Sequence, residues 1–136
     1  VTFTGFLSGA PLLEAFSTFD IGVIPDPKNT YNDKISMNKV FEYMSLGIPF
    51  VQFDLNEGRA CAGDAALYAE NNSPVALGQQ IERLVDDEAL RSRLSKIGQE
   101  RADRLLRWDV ERANLLAAYD KAPEPADVKA GVPASS

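Results

Sequence analysis

The residues best placed to do chemistry lie between Ile35 and Asp54, in the run ISMNKVFEYMSLGIPFVQFD. Helical spacing starts at Ser36, so the backbone N–H groups of Ser36, Met37 and Asn38 fall where a helix leaves its first donors unbonded. Those donors and the positive end of the helix dipole form a site suited to an anion such as phosphate. Lys39 adds a point charge in the first turn, and Glu42 sets a carboxylate further along the same helix. Asp33 stands just ahead of the helix, and Glu57-Gly58-Arg59 follows the next strand. Taken singly these residues read as ordinary surface: Glu42 a solvated helix residue, Asn32 and Asp33 turn formers, Glu57 with Arg59 an ion pair. Their order along the chain is what gives them meaning together.

Other chemistries are disfavoured by composition. The chain of 136 residues has no His, which removes the commonest metal ligand and general base. Cys61 is the only cysteine, so no internal disulfide forms and no His activates the thiol. A net charge of -6 offers no counter-charge for nucleic acid or anionic lipid. No stretch approaches the roughly 20 apolar residues of a membrane span. These features point to the cytoplasm and to catalysis without metal. The chain opens on Val1-Thr2-Phe3-Thr4, in strand composition and without Met, as expected of a piece of a longer protein.

The elements that must carry these groups alternate. Val1 to Thr4 reads as a strand ending at Gly5, and a helix follows from Ser8, Gly9 and Pro11, with Leu12, Leu13, Ala15, Phe16 and Phe19 as its apolar face. Asp20 to Pro25 is a short buried strand, Asp26 to Lys34 a loop. The next helix takes Ser36 as N-cap, Val40, Phe41, Met44 and Leu46 as inward face, and Gly47 as its αL stop. Pro49 to Phe53 is a third strand and Leu67 to Ala69 a fourth. Ser73-Pro74 starts a helix bearing Val75, Ile81, Leu84 and Val85; Asp87 starts another bearing Leu90, Leu94, Ile97 and Leu105; Asp109 caps a last one. Trp108, Phe50, Phe53 and Tyr119 are expected to be packing aromatics. Strands separated by helices predict an α/β fold, a Rossmann-like parallel sheet flanked by helices, whose ligands bind at the carboxyl ends of strands.

The segment Glu42-Tyr43-Met44-Ser45-Leu46-Gly47-Ile48-Pro49-Phe50-Val51 resembles the donor-binding segment of retaining GT-B glycosyltransferases of the group 1, family 4 type, a helix bearing E-Y-M-A-x-G followed by P-V-V. Glu57 to Gly63, EGRACAG, is similar to the E-x-R-x-x-A-G pattern of relatives. The resemblance spans residue 1 to about residue 119 and implies a partial C-terminal domain of a GT-B fold. In it Glu42 accepts hydrogen bonds from the nucleotide ribose, the amides of Ser36, Met37 and Asn38 hold the diphosphate with Lys39, and Glu57 and Arg59 lie near the donor. The family's other Glu, eight residues before Glu42, is Lys34 here. Asp33 is the nearest carboxylate and the candidate to touch the transferred sugar.

The expected organisation is a partial nucleotide-sugar-binding domain over residues 1–121 and a disordered tail over 122–136. A nucleoside-diphosphate sugar is the donor substrate, no cofactor or metal is required, and nucleic acid is not a partner. The acceptor domain, N-terminal in the family, lies outside this chain, as do a Gly-rich loop and an Arg/Lys pair, so the chain alone is expected to be inactive and its unpaired strands to favour self-association. The whole protein is expected in the cytoplasm, or peripheral to the inner membrane surface. The alternative is a non-catalytic Rossmann-like nucleotide or phosphate-binding module in which Lys34 marks a decayed site.

Overall fold

A computed structural model describes residues 1–105 and 107–121. The expectation of a disordered tail from residue 122 lies outside the described residues. Two units follow along the chain, the first ending at Leu106 and the second starting at Arg107.

In the first unit α1 (Ala10–Phe16) leads to β1 (Gly22–Ile24), then a 3₁₀ turn (Asn32–Lys34), α2 (Asn38–Leu46), β2 (Phe50–Phe53), α3 (Asn56–Ala62), β3 (Ala66–Ala69), α4 (Pro74–Asp86) and α5 (Glu88–Leu105). The strands pair in parallel in the order β1-β2-β3, with Val23, Val51 and Leu67 in register. Every residue of β2 is buried, as befits the middle strand of a sheet covered on both faces. Alternation along β2 sends Phe50 to a cluster with Val40, Tyr43 and Met44 of α2, and Val51 to one with Leu77, Leu84, Leu90 and Leu94 of α4 and α5. Phe50, Ile24, Met44 and Leu84 are almost fully buried, and each such side chain contributes about 1.5–3 kcal/mol.

Several predicted helix boundaries hold. Gly47 ends α2 with φ 68°, a left-handed conformation costly for residues with a Cβ. The Ser73 hydroxyl accepts from the Ala76 N–H with Pro74 in the first turn, and the Asp87 carboxylate accepts from the Leu90 N–H.

Other expectations are corrected. Val1 to Thr4 is not a strand: it has no paired neighbour among the described residues, and Val1 and Phe3 are exposed. A strand needs a partner for its backbone groups, and none of the described residues lies alongside. Leu46 is exposed and Tyr43 takes its place on the inward face of α2, because positions 40, 43 and 44 lie on one side of a 3.6-residue turn. Likewise Leu77, rather than Val75 or Val85, faces the sheet from α4. Leu13 and Phe19 are exposed, leaving Phe16 to pack edge-on against Tyr43.

The second unit's α6 (Trp108–Asp120) has Arg107 at its N-cap and so starts two residues earlier than predicted. Asp109 therefore lies in its first turn, bonded to Arg107, rather than at its cap. Trp108 and Tyr119 are exposed, unlike the buried Phe50 and Phe53.

Candidate functional site

The chain leaves the carboxyl end of β1 at Pro25, crosses a loop held by its own asparagines, and enters α2. Asn29 Oδ1 accepts from the N–H groups of Tyr31 and Asn32, and the Asn32 amide donates back to Pro27 O. This local bonding bends the loop over the start of α2, leaving an open cleft of about 490 Å³ between them. Asp26, Tyr31 and Asn32 line it from the loop, and Ser36, Met37, Asn38 and Lys39 line it from the helix. The predicted anion-binding residues are thus brought together at the carboxyl end of a strand, where ligands of parallel sheets bind.

Among the described residues, the N–H groups of Ser36, Met37, Asn38 and Lys39 meet no acceptor, whereas that of Val40 donates to Met37 O at 3.0 Å. Met37, not Ser36, is the N-cap, and no side chain caps α2. Helical bonding starts one residue later than expected, and the Ser36 hydroxyl is already engaged, donating to Glu57 Oε1 at 2.5 Å. The Lys39 ammonium pairs with Asp26 Oδ2 at 2.9 Å. Glu42 is exposed, one turn beyond Asn38 on the same side of α2, and outside the cleft lining. It lies close enough to Tyr43 that its charge adds to burial in raising the phenol's pKa.

The second cluster divides. Glu57 is tied to the cleft through Ser36, and the Cys61 thiol lies 3.6 Å from the same carboxylate oxygen. Arg59 does not brace Glu57; positions two apart on a helix point to different sides. Its guanidinium instead donates to Asp54 Oδ1 at 2.7 Å and lies 3.9 Å above the Tyr68 ring. The Arg59 hydrogen bond holds the Asp54 carboxyl below its ordinary range. Burial pushes the Tyr68 phenol up to about 12 against the opposing charge of Arg59. Its hydroxyl donates to Gly63 O.

Asp33 accepts from Asn56 twice, at 2.7 Å from the backbone N–H and 2.7 Å from the side-chain amide, with Lys28 Nζ at 3.5 Å. Asn56, Asp26 and Asp54 were not singled out from sequence. Asp26 had one signal, a charge opposite to Lys39 immediately after a strand; the pairing of Asp33 with Asn56 leaves none in any local pattern.

Residues 1–87 match the family model described as glycosyl transferases group 1. The chain belongs to the glycosyl transferases group 1 family. Comparison with curated proteins finds no match. Among solved structures, this member of the family is similar to sucrose-phosphate synthase from Thermosynechococcus elongatus, at a TM-score of 0.70 and 22% identity. The match covers 88% of this chain and 29% of the synthase chain, so the chain spans less than a third of that protein. Its parallel sheet flanked by helices is the fold of a GT-B glycosyltransferase domain. Among the described residues no helix of this group 1 chain is long and apolar enough to cross a membrane.

Proposed function

We propose that this chain is the donor-binding half of a retaining glycosyltransferase that transfers a hexosyl group from a nucleoside-diphosphate sugar. The observation that carries the reading is the cleft at the start of α2, lined by Ser36, Met37, Asn38 and Lys39, whose backbone N–H groups are unbonded among the described residues, with Glu42 one turn on. The amides and the helix dipole hold the diphosphate, Lys39 turns from Asp26 toward it, and Glu42 takes the two ribose hydroxyls. The work of such a site is to fix the donor and stabilise charge developing on the departing diphosphate. It calls for no metal or prosthetic group.

Transfer also needs an acceptor at near-attack distance, so the isolated chain binds donor without turning it over. The edge of β1, with no neighbour beyond it among the described residues, and the exposed Phe3 and Phe6 favour weak self-association. Calorimetric titration with UDP, GDP, ADP and pyrophosphate tests the donor site, and no binding by any of the four sinks it. Retention is read from the anomer of the first product made by a longer form of the protein that includes an acceptor domain.

A second reading, a non-catalytic nucleotide or phosphate-binding module, draws on Lys34 and on the full engagement of Asp33 by Asn56. Binding in the titration, with no transfer by that longer form across a panel of sugar donors, would favour it.

A further inference from the structure

The loop that roofs the cleft is fastened to α3 at two points. Asp33 bonds Asn56 through both carboxylate oxygens, and Ser36 bonds Glu57, so two loop residues grip two consecutive residues of one helix. Asn56 is the first residue of α3, and the residue at the cap, Leu55, has no side-chain oxygen for its free N–H groups. Asp33, 23 residues earlier, supplies that acceptor instead. Its side chain is only 19% exposed, and both oxygens face protein donors.

We propose that Asp33 is a positioning residue of the cleft, which sets the loop and the Ser36–Asn38 amides by capping α3, and that it does not touch the transferred sugar. The inference rests on the cleft being the diphosphate site. A group that acts through its cap has a signature different from one that acts through its charge. Asn at position 33 keeps an oxygen for the Asn56 N–H, and a flip of the Asn56 amide restores the side-chain bond. Ala keeps neither.

The experiment compares Asp33→Ala, Asp33→Asn and Asn56→Ala in the whole chain, by amide NMR and by calorimetry with pyrophosphate. Asp33→Ala is expected to speed hydrogen exchange at the Asn56 amide, shift the Ser36, Met37 and Asn38 amides, and weaken pyrophosphate binding about tenfold. Asp33→Asn returns exchange and shifts to the unmodified pattern and binding to within about threefold. Asn56→Ala keeps the Asp33 carboxylate and its bond to the backbone N–H of residue 56 but removes the side-chain bond; it moves the same loop amides in the direction of Asp33→Ala by a smaller amount and serves if that variant does not fold. The proposal is overturned if Asp33→Asn is as impaired as Asp33→Ala, if Asp33→Ala leaves the loop amides unmoved, or if Asn56→Ala does so. Failure of the unmodified chain to bind pyrophosphate or nucleotide removes the donor-site reading instead, and the ligand-free amide spectra still decide whether Asp33 sets the loop.

Discussion

The Lys39 ammonium lies 2.9 Å from the Asp26 carboxylate, so the cation in the first turn of α2 has a partner before any ligand arrives. Both side chains are partly solvated, and such pairs are worth roughly 0–1 kcal/mol, little enough for a diphosphate to take Lys39 over. Asp26→Asn is expected to tighten pyrophosphate binding by about threefold at low salt and Lys39→Ala to weaken it by about tenfold. Titrations at low and high salt check both, since screening should shrink the two effects together.

Glu42 is expected to act on the nucleoside and not on the phosphates. Glu42→Gln removes the charge from two hydrogen bonds, so affinity for a nucleoside diphosphate should fall by about tenfold while that for pyrophosphate holds or rises slightly. Equal losses for the two ligands in calorimetry would place Glu42 outside the ribose site.

Gly22 opens β1 against the face of Tyr43: a Cβ built there meets the ring at 2.6 Å. Tyr43 has little room to yield, being packed against Phe16 and Phe50. Gly22→Ala should therefore cost about 1–3 kcal/mol by overpacking, read from chemical denaturation. Gly22→Ala with Tyr43→Leu should recover part of the loss.

Asp54 gives a small acid-side dependence of stability. Its pKa is lowered from 3.8 by the Arg59 hydrogen bond, so its contribution is in place above pH 3.8 and is lost as pH falls below that toward the folded value. The side chain is 36% exposed, and screening holds the effect to about 0.5 kcal/mol. Arg59→Ala should flatten this part of the curve, while also losing the stacking on Tyr68 at every pH. Denaturation midpoints followed from neutral pH down through the acid limb separate the two.

Much of the architecture was legible because it is written in short periods. Apolar runs broken by Pro25 and Gly47, the Ser73-Pro74 start and the Asp87 restart each depend on neighbours within a turn or two, and each appears where the local pattern put it. Val1 to Thr4 shows the limit, since β-branched composition favours a strand but pairing decides whether one exists. Leu46 and Tyr43 exchanged roles for a related reason. Both are large and apolar, and only the direction in which α2 meets the sheet says which one is covered.

By itself the sequence determined the parallel α/β order, the amide-rich start of α2 and the place of Glu42 one turn beyond it. Each is a property of residues adjacent on one element. Only the tertiary structure decided that Lys39 pairs with Asp26, that Arg59 turns to Asp54 and Tyr68 instead of Glu57, and that Asp33 caps a helix beginning 23 residues later. A charged side chain goes to whichever opposite charge or unbonded donor the fold sets within about 3 Å of it. For these groups that partner lies on a different element, and chain spacing carries no record of it.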